Sequence, residues 1–521
     1  MRFSVRRRLI VGAAITAAVV TPLAFMGTAV ADPPSPESTR QAAKLQRADL
    51  LAGVKEHLAN FQQIADANDG TRFATSPGYT ASAEYVRDRL RRAGYKVSFQ
   101  EFSFPFFLET APPEMAQVSP DATTYEEGTD FATMTYSGSG EVEAAVQPVD
   151  LQLPPGAEPN SSTSGCEAAD FDGFTSGNIA LIQRGTCDFR VKALNAQEAG
   201  ASGAIIFNEG QEGRTEAIAG TLSDTGVNIP TVGASFAVGE DLADPAETVV
   251  RLNVTSISET RTDRNVIAET KGGNKNNVVT LGAHLDSVPE GAGINDNGSG
   301  SAAILEVAEQ LAKHRIQTRN AIRFAWWGAE EFGLWGSTQY VESLSEDELS
   351  KIGMYLNFDM VGSPNFARFL YDGDNSDGQN DPEAPEGSAE IEKFFEDFFA
   401  AQDLPTEGTP LNGRSDYDAF ALSGIPIGGL FTGAEGVKTE EQATKYGGEA
   451  GVAFDPCYHQ ACDDLSNVND TALRQNTQAI AAATVYFGFL KATQMQGGGA
   501  AALTSGPASK GVGHQEHRQA A

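Results

Sequence analysis

The residues Leu281 to Ile304, LGAHLDSVPEGAGINDNGSGSAAI, constrain the fold more than any other stretch of this chain. They begin at the end of the run Val278–Leu281, which is β-branched and uninterrupted and therefore predicts a strand buried on both faces. His284 and Asp286 lie where this strand ends, and a glycine-rich loop then leads to Asp296. Because ligand groups gather at the carboxyl ends of strands in open α/β sheets, the stretch predicts half of a metal site.

A helix is predicted directly after this loop. Ile304, Ala308 and Leu311 recur at helical spacing, and Ser299 or Ser301 is the expected N-cap. A strand, a glycine-rich loop and a helix in this order indicate an α/β domain.

Three later segments supply the other half of the predicted metal site. Ala321–Trp327 and Tyr355–Met360 predict two further buried strands, and Cys457–Cys462 contains a histidine far downstream. Imidazole and carboxylate donors without a thiolate are typical of a catalytic zinc, manganese or cobalt site rather than a structural zinc site. The candidate ligands are His284, Asp296, Glu330, Glu331, Asp359 and His459.

The N-terminal residues Met1–Ala31 predict a secretory signal. Four arginines precede an apolar, alanine-rich run, and Ala29-Val30-Ala31 fits the small-residue cleavage rule. A membrane anchor is the alternative, but no stop-transfer pattern follows the apolar run. The arginine pair leaves twin-arginine export open beside the general secretory route.

The formal net charge of -33 argues against nucleic acid and anionic membranes as partners. Export to an oxidising compartment favours disulfides, and the spacing of the four cysteines suggests the pairs Cys166–Cys187 and Cys457–Cys462. A Cys/His zinc site at Cys457, His459 and Cys462 is the alternative.

A family resemblance covers roughly Asp263 to Leu490. In order and spacing, several segments resemble the secreted double-zinc aminopeptidases of the Streptomyces type. The resemblance implies a mixed, mainly parallel central sheet with helices on both faces, as in zinc exopeptidases. The matching segments are AHLDSV, GAGINDNGSGSAAILE, RFAWWGAEEFGLWGS, YLNFDMVGSPN, GRSDYDAF, GGLFTGAEG and CYHQACD.

The same resemblance assigns two zinc ions per chain. It implies that Asp296 bridges them, that His284 and Asp359 complete one site, and that Glu331 and His459 complete the other. Two ions about 3.5–4 Å apart hold a bridging water and lower its pKa towards 7. The peptide bond after Asp296 is expected to be cis.

Further roles follow from the resemblance and from the positions of the side chains. Glu330 is expected to act as general base and, with Asp359 and Arg414, to surround the free α-amine of the substrate. Tyr458 is expected to donate to the tetrahedral oxyanion. Asp286 has the position of a carboxylate that orients the His284 imidazole.

The expected activity is removal of the N-terminal residue from peptides and proteins outside the cell. Phe431 is expected to line an apolar pocket, which would favour residues such as leucine. A carboxypeptidase on the same scaffold is one alternative, and a binding protein with an inactive peptidase fold is another. Oligomeric state is not predicted, and no membrane partner is expected after signal removal.

A second resemblance covers residues 177–210, GNIALIQRGTCDFRVKALNAQEAGASGAIIFNEG, which are similar to the protease-associated domain. A passive β-rich spacer is the alternative interpretation of this insert. The expected organisation is a signal peptide at 1–31, a proline-rich leader at 32–38, peptidase segments at 39–132 and 258–494, the insert at 133–257, and a disordered low-complexity tail at 495–521.

The chain departs from the family pattern in three places. Tyr417 stands where relatives can have histidine, which predicts an altered pocket. Asn297 replaces a second aspartate, and neither type is expected to bind metal. Residues 473–478 lack the carboxylates that some relatives place near calcium, so calcium is not predicted. His57 and His314 are expected on helix surfaces without a role, and His514 and His517 fall in the tail.

Overall fold

The computed structural model describes residues 40–41, 43–45, 48–243 and 248–491. The predicted signal peptide, leader and tail therefore lie outside the described residues. Within the described part of the chain, none of the helices combines the length and the apolar character needed to cross a membrane.

The described elements alternate between strands and helices along most of the chain. The strands are β1 (Lys96–Ser119), β2 (Thr123–Thr124), β3 (Phe131–Thr133), β4 (Gly140–Val149), β5 (Ile179–Gln183), β6 (Gly203–Phe207), β7 (Thr231–Ala234), β8 (Val249–Glu269), β9 (Asn274–His284), β10 (Asn320–Trp327), β11 (Ile352–Phe358), β12 (Phe369–Tyr371), β13 (Glu407–Thr409) and β14 (Ile427–Phe431). The helices are α1 (Leu50–Asp66), α2 (Pro77–Ala93), α3 (Phe189–Glu198), α4 (Phe236–Ala243), α5 (Gly298–Lys313), α6 (Trp335–Ser343), α7 (Glu346–Leu349), α8 (Ser388–Ala400), α9 (Asp418–Leu422), α10 (Glu440–Tyr446) and α11 (Asp470–Phe489), and short 3₁₀ turns span Ala168–Phe171 and Leu465–Asn467.

The central sheet is mixed and mainly parallel, as the family resemblance implies. Its spatial order is β13-β12-β14-β11-β9-β10-β8, and β1 pairs with β8. The strands β10, β9, β11 and β14 are parallel neighbours, whereas β8 is antiparallel to β10 and β12 is antiparallel to β14. The carboxyl ends of the parallel strands therefore meet at one edge of the sheet.

Helices cover both faces of this sheet. One face packs against α1, α2, α5, α8 and α11, and the other packs against α6 and α9. Alternate residues of β9 serve the two faces: Val279 and Leu281 contribute to the first core, and Gly282 lies against Tyr355 and Trp327 on the second. This two-sided burial explains why the strand is an uninterrupted apolar run.

Helix α5 begins at Gly298, and its N-cap differs from the expected Ser299 or Ser301. Asn297 is the cap, because its side-chain oxygen accepts the backbone N–H of Gly300 at 2.9 Å. The serine hydroxyls are engaged as donors instead, to the carbonyls of Asn295 and His284. The asparagine that departs from the family pattern thus starts the helix behind the predicted metal site.

His57 is also placed differently from the sequence expectation. It was expected on a helix surface, but its side chain is fully buried between α1 and α5. Its Nδ1 lies 2.8 Å from the Tyr85 hydroxyl, and its Nε2 lies 3.5 Å from a carboxylate oxygen of Glu306. The helical period of α1 alone did not reveal that a second helix covers this position.

The sequence pattern predicts strands only at Tyr95–Phe104 and Asn265–Thr270, and the observed β1 and β8 are much longer. They pair antiparallel from Lys96 with Glu269 to Ser119 with Val249, with shifts of register near Ala111. Pro112 and Pro113 fall within this irregular part, and proline hides a strand in sequence because it has no N–H to donate. The β1–β8 ribbon therefore runs from the peptidase sheet into the insert.

The sheet continues from β8 into the insert through β4, which pairs antiparallel with β8. In this part of the sheet, β4, β5, β6 and β7 are parallel neighbours and β3 pairs with β7. Helices α3 and α4 pack on it. The disulfide Cys166–Cys187 is present here, with a Cα separation of 5.8 Å. The insert boundaries at 133 and 257 remain a prediction.

Replacing Phe420 with alanine is expected to lower the free energy of unfolding by about 3–5 kcal/mol. Its ring is fully buried and stacks on Tyr355 with 3.9 Å between centroids, so the change leaves a cavity under the sheet. Leu422→Ala in the same helix is the control: this side chain is 43 % exposed, and an effect within about 0.5 kcal/mol is expected. Denaturant unfolding of both variants measures the difference, and equal losses would contradict it.

Candidate active site

The candidate site lies at the carboxyl edge of the parallel strands. His284 is the last residue of β9, and Asp359 directly follows β11. Asp296 lies at the end of the loop before α5, and Glu331 follows β10. His459 comes from the loop before α11. The structure brings these side chains, which are far apart in sequence, to the wall of one pocket.

Two of the predicted ligands surround the first position with His284. Its Nε2 lies 3.1 Å from Oδ1 of Asp296 and 3.2 Å from Oδ1 of Asp359. The opposite nitrogen, Nδ1, faces the backbone carbonyl of Asp286 at 3.2 Å. The ring is thus oriented with Nε2 towards the two carboxylates.

A second position lies around His459. Its Nε2 is 3.1 Å from Oε2 of Glu331 and 3.4 Å from Oδ2 of Asp296. The two oxygens of Asp296 therefore face different imidazoles. The peptide bond between Asp296 and Asn297 is cis.

These distances test whether zinc fits. Donors about 2.0–2.2 Å from one zinc ion, at tetrahedral angles, lie about 3.3–3.6 Å from one another. The observed separations of 3.1–3.4 Å are close to that range. The Oε1 of Glu331 is also buried and has no hydrogen-bond partner among the described residues. The donor set therefore fits zinc.

Glu330 is close to the same positions. Its Oε2 lies 4.0 Å from Nε2 of His284, and Glu330, His284 and Asp359 can also be grouped as three donors within reach of one ion. The geometry alone thus leaves two options for which glutamate holds a metal, and the assignment of Glu331 stays a prediction.

Burial and close charges shift the acid–base equilibria of the site. Burial raises the pKa of Glu330 well above its ordinary value and that of Glu331 to about 7. Burial disfavours charged His459, but hydrogen bonds to the Asp296 and Glu331 carboxylates outweigh it and raise its pKa to about 11. Burial also opposes charge on Asp296, yet hydrogen bonds from His284 and His459 lower its pKa. The protein alone thus stabilises positive charge between these carboxylates.

Asp286 connects the loop after β10 to the end of β9. Its fully buried carboxylate accepts the backbone N–H groups of Glu330 at 3.2 Å and Glu331 at 3.3 Å. One of its oxygens also lies 3.8 Å from Nδ1 of His284. The carboxylate expected to orient the imidazole therefore also fixes the backbone of both glutamates.

Tyr458 and Arg414 lie beside His459. The Tyr458 ring stacks on the His459 ring with 3.8 Å between centroids. The Arg414 guanidinium lies 3.3 Å from the Tyr458 hydroxyl and forms an ion pair with Glu435 at 2.8 Å. Arg414, which the family resemblance places near the substrate amine, thus contacts the predicted oxyanion donor, and Glu435 balances its charge.

The disulfide Cys457–Cys462 is present and encloses Tyr458 and His459. Its Cα separation is 5.3 Å. Because both sulfurs are in this bond, they cannot serve as thiolate ligands, and the alternative Cys/His zinc site is wrong. The bridge closes the loop that presents His459.

The apolar side of the pocket is aromatic. Phe431, at the end of β14, stacks against Phe369 with 6.1 Å between centroids, and Phe369 packs edge-on against Phe454 at 5.2 Å. Tyr417 also lines the pocket, and its hydroxyl accepts the backbone N–H of Asn412 at 2.9 Å. The tyrosine at the position of a family histidine therefore supports the wall of the pocket.

Several residues around the site were not predicted from the sequence. Ser415 donates from its hydroxyl to Oδ2 of Asp359 at 2.6 Å. Asp416 is buried, and burial raises its pKa to about 8. Asp463 accepts the backbone N–H of Asp296 at 2.9 Å. The only sequence signal was their presence in the quoted segments GRSDYDAF and CYHQACD.

Comparisons with known proteins identify the family. The model of Peptidase family M28 matches residues 265–484, and the PA domain model matches residues 149–242. An aminopeptidase of Pseudomonas aeruginosa is 50% identical over 444 residues, which cover 84% of this chain and 81% of the relative. A leucine aminopeptidase 2 of Trichophyton equinum is 43% identical over 445 residues, which cover 84% of this chain and 83% of the relative.

Solved structures show the same fold. An aminopeptidase from Aneurinibacillus sp. strain AM-1 superposes with a TM-score of 0.60 at 26% identity and covers 85% of this chain and 95% of its own. A zinc aminopeptidase from Bacillus subtilis gives a TM-score of 0.55 at 25% identity, covering 83% of this chain and 94% of its own. The chain therefore belongs to peptidase family M28, as a zinc aminopeptidase that carries a protease-associated domain.

Proposed function

We propose that this protein is an exported aminopeptidase with two zinc ions, which removes apolar residues from the N-termini of peptides and proteins. The observation that carries the proposal is the position of Asp296, whose two carboxylate oxygens face His284 and His459 separately. A carboxylate shared in this way suits two adjacent ions. Bound zinc supplies an activated water and polarises the scissile carbonyl.

Glu330 is proposed as the general base and Glu331 as the metal ligand. Asp286 holds the backbone N–H groups of both residues, which fixes the turn from which the two side chains leave. From it Glu331 reaches within 3.1 Å of His459 Nε2, while Glu330 stays 4.0 Å from His284 Nε2. Glu330 is therefore free to take a proton from water and return it to the leaving amine.

Tyr458 is proposed to donate its hydroxyl proton to the oxyanion that forms at the scissile carbonyl. Its phenol is held by the stacked ring of His459 and by Arg414. Glu330 and Asp359 are proposed to contact the α-ammonium group, which their negative charge attracts. This requirement for a free amine limits the reaction to N-termini.

The aromatic wall formed by Phe369, Phe431 and Phe454 is proposed to bind the first side chain of the substrate. Such a wall favours leucine or phenylalanine over charged residues, because burying a charge without a partner is costly. The name of the Trichophyton relative, leucine aminopeptidase 2, supports this preference.

Export is proposed because residues 1–31 have a signal-like pattern and all described cysteines are in disulfides. Within the exported chain, the insert is proposed to span residues 133–257 between peptidase segments 39–132 and 258–494.

Turnover of amino-acid p-nitroanilides tests this function. The leucine and phenylalanine substrates are expected to react about 10–200-fold faster than the alanine substrate, the usual worth of apolar side-chain contacts. N-acetyl-leucine p-nitroanilide is the matched control and should not react, because it lacks the free amine. Chelation should abolish the activity, and added zinc should restore it. Equal release from the acetylated substrate would reject an aminopeptidase.

A further inference from the structure

Asp463 makes an unusual set of contacts with the loop that carries Asp296. Its side chain accepts the backbone N–H of Asn295 at 2.8 Å through Oδ1 and that of Asp296 at 2.9 Å through Oδ2. Its own backbone carbonyl accepts the N–H of Ile294 at 3.2 Å. One residue therefore binds three consecutive amide groups directly before the predicted bridging carboxylate.

Asp463 belongs to the loop that presents His459. It follows Cys462, whose disulfide with Cys457 closes that loop, and its N–H donates to the carbonyl of Gln460 at 3.0 Å. The contacts of Asp463 thus join two segments that are distant in sequence. These segments supply two of the three proposed ligands of one zinc ion.

Asp463 is itself held in place by a buried polar network. The side-chain amide of Asn467 donates to Asp463 at 3.0 Å and to Asp455 at 2.9 Å. Asp455 in turn accepts the side-chain amide of Asn295 at 2.6 Å. Asp463 is 2 % exposed, so its carboxylate cannot exchange these contacts for water without local opening.

We propose that Asp463 is a positioning residue that sets the separation of Asp296 and His459, and through it the affinity for the ion that these residues share with Glu331. The inference rests on the proposed two-zinc site. Metal–ligand bonds of about 2.0–2.2 Å leave little tolerance for displaced donors, so a shift between the two loops weakens binding of that ion first. His284 is the last residue of β9 and Asp359 directly follows β11. Among the described residues, Asp463 makes no hydrogen bond to either of them.

The variant Asp463→Asn tests this role. Asparagine keeps the size of the side chain but presents one acceptor and one N–H₂ group to two amide donors, so one backbone contact is lost. Competition titration of the metal-free variant with Zn²⁺ and a chromophoric chelator should show one zinc affinity lowered about 10–100-fold, the usual effect of removing a group that orients a ligand. The other ion also binds Asp296 but not His459, so its affinity should fall by a clearly smaller factor.

Glu392→Gln is the matched control. Glu392 is also a buried carboxylate that accepts two consecutive backbone N–H groups, those of Gly373 at 2.8 Å and Asp374 at 3.2 Å, but outside the proposed metal site. Its Oε2 accepts both groups, so glutamine can keep these contacts through its carbonyl oxygen and loses only the charge. Glu392→Gln should therefore keep both zinc affinities. This contrast separates positioning of a ligand from the mere removal of a buried charge.

Asn467→Ala provides a second, milder variant if Asp463→Asn does not fold, and the same ion should be weakened. Wild-type affinity for both ions in the folded variants, or an equal loss for both, would overturn the inference. A wild-type titration that ends at one ion per chain would instead reject the two-zinc proposal, and the inference would fall with it. The wild-type stoichiometry therefore tells the two failures apart.

Discussion

Glu330→Gln is expected to lower the turnover number by about 10²–10⁴, which is the usual contribution of a positioned proton transfer. The change keeps the size of the side chain and removes its basicity. Zinc content should remain at two ions per chain, because Glu331 is the proposed ligand. Steady-state kinetics with leucine p-nitroanilide and metal analysis of the same sample measure both quantities.

Glu331→Gln is the comparison, and it should lose affinity for one zinc before any other property changes. The structure places Glu331 closer to its imidazole than Glu330 is to His284, with separations of 3.1 Å and 4.0 Å. A zinc lost from the Glu330 variant and retained in the Glu331 variant would reverse the two roles. Since the residues are adjacent, this pair controls for general disturbance of the loop.

Asp296→Ala is expected to remove both zinc ions and, with them, measurable peptidase activity. Among the described residues, Asp296 is the only one whose carboxylate forms ion pairs with both His284 and His459, one through each oxygen. The affinity for each ion should fall by more than about 100-fold, the upper value for a group that merely orients a ligand. Metal analysis after dialysis against a weak chelator measures the loss.

Asp359→Ala and Glu331→Ala serve as comparators, because each should lose one ion and keep the other. All three variants remove a buried carboxylate from the same pocket, so a general loss of structure would affect them alike. One tightly bound zinc in the Asp296 variant would contradict a shared ligand.

The sequence by itself determined the central layer of the fold and the residue types of the site. The runs that begin at Val278, Ala321 and Tyr355 are apolar at consecutive positions because each strand is buried on both faces, so the strands can be recognised from the local sequence. The polar residues that follow these runs can be recognised in the same way. Parallel strands then bring such residues to one edge, so the grouping of His284 and Asp359 follows from the order of strands.

The local sequence pattern did not reveal how long strands β1 and β8 are. Strands β1 and β8 extend well beyond their predicted ends, because each supplies the partner for the other over a long antiparallel ribbon. Pro112 and Pro113 interrupt the alternation that would have indicated a strand, and the structure accommodates them where the register shifts.

The tertiary structure alone decided which polar residues hold the site in place. Asn297 rather than a serine caps α5, and Asp463 binds the amides before Asp296, because carbonyl groups and N–H groups from other loops compete for each side chain. His57 is buried by a helix that lies far away in sequence. Hydrogen bonds between distant segments depend on distances that only the packed chain establishes, so no local period or spacing encodes them.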